Sequence, residues 1–199
     1  MIPPFFAQVA TPRLLRRLAF GQGAFEDDPA WAQTGARSRA EYARWANHLC
    51  GMACLQMALG ALGRPVPTIH ALRRAVQRLG GYELQQDGSI RGLVYAGAVA
   101  WLRRQGIPAE IILDQPAAAI PGWLAAGRLY VASVHPAIRT PAADPPQTGG
   151  HLVLVFGTDR QGRLRFHNPS GHLAATRRDA RLDVPSFARF HAERGILLG

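Results

Sequence analysis

Apolar positions follow a helical period in the first half of this chain and a strand period in the second. Gly51–Leu62 (GMACLQMALGAL) is rich in Ala, Leu and Met and contains no Pro. It predicts a helix with Asn47 or His48 near its start and Gly63 and Pro65 beyond its end. Ile69, Leu72, Val76 and Leu79 recur at helical spacing behind Thr68, which can cap a helix, and Gly80-Gly81 stops the run. Leu93–Arg104 predicts a third helix, closed by Gly106 and Pro108. Four short apolar runs follow: Ala109–Leu113, Leu129–Val134, His151–Phe156 and Leu164–Phe166. These read as strands, with Asp159–Gly162 as a hairpin turn between the last two. Pro141–Gly150 is a loop running into His151, and Pro185–Glu193 is expected to form one more short helix. Helices first and an antiparallel sheet afterwards is the α+β pattern, here expected as a helical lobe and a β lobe.

Residues 1–40 mix Pro, Arg and Gly with short apolar runs. Phe5, Phe6, Leu14, Leu15, Leu18 and Phe20 are expected to lay this segment as an arm against a domain spanning 41–199. The 199 residues fit one domain, and a hydrophobic fraction of 48% is far above that of a disordered chain. No apolar run reaches the roughly 18–20 residues a membrane helix needs. Met1–Ala10 has Pro3-Pro4 and no early positive charge, so it does not read as a signal peptide. A soluble cytoplasmic protein is the expectation.

The formal charge is +10, from 23 Lys+Arg against 13 Asp+Glu, which alone favours an anionic partner. Every one of those cations is Arg, and Ala, Gly and Pro are abundant, as a GC-rich coding bias produces. The Arg residues are scattered from Arg13 to Arg194 without an aromatic-interleaved stripe, which argues against a nucleic-acid binder. No phosphate-cradling Gly-rich loop is present, and no second Cys pair or His-x₃-His spacing supports zinc. No cofactor or metal is expected.

Two Cys exclude a disulfide-stapled scaffold and leave a thiol as candidate chemistry. Cys50 falls at the expected start of the first long helix. There the helix dipole and unpaired backbone N–H groups favour a thiolate, although most free Cys are buried hydrophobes. Cys54, one turn deeper among Leu55, Ala58 and Leu59, reads as core. His151 opens an apolar strand after Gly149-Gly150, either as a base facing a cleft or as a satisfied edge-strand His. Asn168 follows on the next strand, either as an orienter of an imidazole or as an ordinary Asn-Pro turn. A hairpin brings the end of one strand beside the start of its neighbour, where Asn168 and His151 would sit. His135 ends the preceding strand and is a further candidate for the same cleft, whereas His167 should point away from Asn168.

These residues, in this order, resemble papain-like cysteine peptidases, and most closely the bacteriocin-processing type that cuts leader peptides after double glycine. The string Cys50-Gly51-Met52-Ala53-Cys54-Leu55-Gln56-Met57 resembles that type's nucleophile string. Gly88-Ser89 through Gly106-Ile107 resembles its middle, and His151-Leu152-Val153-Leu154-Val155-Phe156-Gly157 its His strand. Asn168-Pro169 resembles its Asp-Pro. The likeness runs from about Asn47 to Gly171 and implies a papain-like two-lobed fold. It implies Cys50 as nucleophile, His151 as general base and acid, and Asn168 as orienter, acting on a peptide or amide substrate in the maturation of a peptide natural product. The type places a Gln about six residues before the Cys as oxyanion donor, where this chain has Arg44. Asn47 or His48 is then expected to donate beside the Cys50 backbone N–H, and Arg44 to meet a substrate carboxylate or solvent. The same machinery would serve an acyltransferase or cyclase, and a silent site would leave a leader-peptide-binding module. The charge makes an acidic peptide the more attractive substrate.

Overall fold

The structure, a computed structural model, describes residues 2–19, 21–141 and 144–199. Phe20, expected in the arm, lies outside them. The longest helix, α3 (Cys50–Ala61), begins one residue before the apolar run that predicts it and is buried from Gly51 through Leu59. A helix apolar on every side belongs in the middle of a protein. Around it stand α2 (Arg39–Ala46), α4 (Ile69–Gln77) and α5 (Tyr95–Arg104). Close approach is built in with glycine: a Cβ on Gly51 would stand 2.6 Å from Leu93 and 2.9 Å from Leu152, and one on Gly97 would stand 2.2 Å from the Gly81 backbone.

The strands β3 (Ala109–Ile112), β4 (Leu129–Val134), β5 (His151–Thr158), β6 (Leu164–His167), β7 (Ala180–Leu182) and β8 (His191–Leu198) form one antiparallel sheet in the order β3-β8-β4-β5-β6-β7. Side-chain alternation splits it into two faces. Leu129, Val131, Leu152, Leu154, Ile196 and Leu198 pack with α3 and its neighbours. Tyr130, Ala132, Val134, Val153, Val155 and Phe166 pack in a second core with Ile120 of α6 (Ile120–Ala125) and Phe187 of α7 (Val184–Ala188). A two-stranded ribbon, β1 (Glu83–Leu84) and β2 (Ile90–Arg91), precedes α5.

Two segments differ from the sequence reading. Of the helix expected over Pro185–Glu193, only α7 forms, started by the Asp183 side chain, which accepts from Ser186 N–H; His191 already belongs to β8. The pattern of β8 hides it. Gly195–Leu198 lies between β3 and β4 and is buried, whereas Ala192–Arg194 is paired in neither register and its Glu193 and Arg194 are exposed. The segment given to the arm also holds the start of α2. Ser38 Oγ accepts from Glu41 N–H, and the Glu41 carboxylate pairs with Arg73 and Arg74 of α4. The Arg73 guanidinium lies 4.2 Å above the Trp45 ring, so α2 is held to the helical layer by stacking as well as charge.

The N-terminal segment lies across both halves. Phe5 and Phe6 pack against the helical core, and Val9 and Leu15 share a small core with Tyr42 and Ala46. A buried Asp28 fastens it: its carboxylate accepts from Thr11 Oγ1 and Tyr42 Oη, each at 2.6 Å. Gln8 ties the halves together, its backbone N–H donating to Pro169 C=O at 3.1 Å and its Nε2 to Ala46 C=O at 3.1 Å. A short α1 (Leu14–Ala19) rides on this segment.

Candidate active site

Cys50 is the first residue of α3, preceded by Leu49, whose side chain makes no capping bond. The first amides of the helix therefore remain available, and Gly51 and Cys50 N–H act on the sulfur together with Leu152 N–H from β5. These contacts and the nearby Arg139 charge favour the thiolate, but burial outweighs them and pushes the Cys50 thiol up. The helix start thus does not deliver the lowered thiol pKa that the sequence reading expects. Cys54 is buried beneath it, as expected, and its thiol is pushed up by burial and by Cys50.

His151 opens β5 behind Gly149 and Gly150, whose φ of 84° and 91° are conformations that glycine adopts without strain. Its Nε2 lies 2.8 Å from Asn168 Oδ1 and 3.0 Å from Ser170 Oγ. Ser170 backbone N–H donates to the same Asn168 Oδ1 at 3.2 Å, so the amide must present its oxygen to this corner. That assigns the proton to Nε2 and leaves Nδ1 of His151 as the free acceptor. Asn168 serves as the turn residue of Asn168-Pro169-Ser170-Gly171 and as the imidazole's partner at once, because β6 leaves the ladder after His167. Asn168 Nδ2 is buried without a partner among the described residues. Burial, with the Arg139 charge second, holds His151 down to about 3, so the imidazole is neutral at ordinary pH.

Cys50 and His151 line one cavity of ≈ 270 Å³ with Asn47, His48, Leu93 and Tyr95. Arg91, ion-paired with Glu83 at 3.0 Å, and Arg194 also line it. Asn47, at the C-terminal end of α2, has an exposed side chain, and His48 is half-buried. Arg44 lies elsewhere: its guanidinium donates to Gly88 C=O at 3.2 Å, and it does not border the cavity. His135 is also outside; its Nδ1 accepts from Ala137 N–H at 3.1 Å and starts a single turn after β4. His167 points away from Asn168, its Nε2 at 3.0 Å from Pro3 C=O.

Two residues beside the pair carry no sequence signal of their own. Arg139 Nε donates to Ser170 Oγ at 2.7 Å, linking a cation through a hydroxyl to His151. Ser170 is visible in the sequence only as a turn residue, and Arg139 is one of many Arg.

No protein-family model matches the chain, and no curated protein sequence matches it. Solved structures do. The peptidase domain of Streptococcus ComA, a bifunctional ABC transporter involved in a quorum-sensing pathway, superposes with a TM-score of 0.53 at 15% identity, over 76% of this chain and 91% of that one. A C39-like peptidase structure from Bacillus anthracis superposes with a TM-score of 0.55 at 13% identity, over 76% and 88%. The chain therefore has the papain-like α+β fold of C39 peptidase domains, the type that its Cys50, His151 and Asn168 strings resemble.

Proposed function

We propose that this protein is a cysteine peptidase of papain-like type, with Cys50 as nucleophile, His151 as general base and acid, and Asn168 as orienter. The observation that carries the reading is the His151 Nε2–Asn168 Oδ1 contact on an imidazole that shares a cavity with Cys50. The resting pair is a neutral thiol and a neutral imidazole, so the proton moves as the bond forms. His151 Nδ1 takes the Cys50 proton while sulfur attacks the carbonyl carbon. The oxyanion is met by Cys50 N–H and the Asn47 amide, which takes the place of the family's Gln. His151 then returns the proton to the leaving amine, and water, activated by the same nitrogen, cleaves the thioester. The substrate is a peptide, with acidic residues favoured by the Arg194 side chain on the cavity wall and the +10 formal charge of the chain, and the setting is cytoplasmic maturation of a peptide natural product. Among the described residues no helix is long and apolar enough to cross a membrane.

The test uses p-nitrophenyl acetate with and without glycinamide. Acetylation of Cys50, absent in Cys50→Ala and slowed about 10²–10⁴-fold in His151→Ala, is expected. Acetate as sole product marks a hydrolase, and acetylglycinamide marks an acyltransferase with the same site. A Cys50 that stays unacetylated overturns the enzyme reading and leaves a peptide-binding module.

A further inference from the structure

A second cavity, of ≈ 360 Å³, adjoins the first through Asn47, which borders both. The N-terminal segment supplies its apolar wall with Leu15, Leu18 and Phe25. Its polar end is Gln8, Asn47, Arg139 and Ser170. Arg139 is half-buried, and among the described residues its one hydrogen bond to a side chain, at 2.7 Å, goes to the neutral hydroxyl of Ser170. Among the described residues no Asp or Glu forms an ion pair with it. A partly desolvated cation with no carboxylate of its own is a ready partner for an anion that a ligand supplies. The cavity therefore offers a guanidinium for a carboxylate and an apolar wall for a side chain.

We propose that this cavity is a substrate subsite that binds a carboxylate-bearing residue of the peptide: the carboxylate on Arg139 and the side chain against Leu15, Leu18 and Phe25. The carboxylate has two chemical sources, a free C-terminus or an Asp/Glu side chain, and Arg139 meets both in the same way. Arg44, the arginine that the sequence points to for this task, is bound to Gly88 instead. Through Ser170 the occupied Arg139 also lies one hydroxyl away from His151 Nε2, so the subsite places its ligand beside the reacting pair. The inference rests on the peptidase reading for its role in turnover, and its test is kept apart from that reading by using a protein that cannot react.

In Cys50→Ala, calorimetric titration compares acetyl-Ala-Ala-Ala-Leu as the free acid, as the C-terminal amide, and as the amide with Glu in place of the third Ala. The free acid or the Glu peptide is expected to bind about tenfold more tightly than the neutral amide, the size of one charge-assisted hydrogen bond. Tighter binding by the free acid identifies the C-terminus as the source, and tighter binding by the Glu peptide the side chain. Adding Arg139→Gln should erase the preference and Arg139→Lys should keep part of it; the Lys variant serves where the Gln variant does not fold. Equal affinities for all three peptides, no binding of any, or a preference that survives Arg139→Gln overturns the proposal. Failure of Cys50 to acylate sinks the peptidase reading and leaves these affinities standing.

Discussion

His151 Nε2 and Asn168 Oδ1 lie 2.8 Å apart, and the Ser170 backbone N–H fixes which atom of the amide faces the ring. The imidazole is thereby locked in one tautomer. Asn168→Ala should slow Cys50 acylation roughly 10- to 100-fold, less than loss of the base itself, which costs about 10²–10⁴. Asn168→Asp should raise the pH at which the His151 imidazole titrates by proton NMR, because a carboxylate stabilises the imidazolium. An unchanged titration in the Asp variant would remove Asn168 from contact with the ring.

The resting charge state gives a pH signature. Burial pushes the Cys50 thiol up and holds His151 at about 3, so neither group titrates between roughly pH 5 and 8. Alkylation of Cys50 by iodoacetamide, followed by intact mass, should keep rising with pH past 8, without the low-pH plateau of a thiolate–imidazolium pair. A plateau beginning near pH 5 would contradict the neutral pair.

Acid should unfold the protein earlier than its carboxylates alone predict. Burial holds His70 and His191 at about 4 and His151 at about 3, each against an ordinary 6.5. The unfolded chain binds these protons first as pH falls, so stability is full above about 6.5 and is lost from there down through about 4 to 3. Each tenfold loss of proton affinity is worth about 1.4 kcal/mol once both states have titrated. Urea melts at pH 7, 5.5 and 4.5 should show a falling midpoint, and a constant midpoint would mean these rings are accessible to protons in the folded state.

The N-terminal segment should report on Asp28. Its carboxylate holds Thr11 and Tyr42, and Asp28→Ala strands both, at about 1–3 kcal/mol for each orphaned buried group. Urea unfolding should lose more than about 2 kcal/mol. Limited proteolysis should cut within residues 12–30 before elsewhere. Unchanged stability would show that Phe5, Phe6 and Val9 alone hold the segment.

The candidate residues Cys50, His151 and Asn168 stand out in the sequence more clearly than the frame around them. α3 and the Cys50 position follow from an uninterrupted apolar run, and β4 to β6 from short apolar runs with a turn at Asp159–Gly162. Strand β8 was not readable, because Ala192–Arg194 lies at a register shift with no paired residue in β3 or β4, and its exposed Glu193 and Arg194 mimic the end of a helix. Arg139 was invisible among equivalent arginines, since its meaning lies in Ser170 thirty-one positions away. The pKa direction at Cys50 was also beyond sequence: the helix-start amides are local, but the burial that outweighs them comes from the whole fold.

The most direct test of the central claim is the rate of acyl-thioester formation on Cys50, followed by rapid-quench intact mass with p-nitrophenyl acetate at pH 7. The expected order of rates is unaltered protein, then Asn168→Ala, then His151→Ala, with no adduct in Cys50→Ala. Equal rates in the unaltered protein and His151→Ala, or an adduct on Cys54 instead, would contradict it.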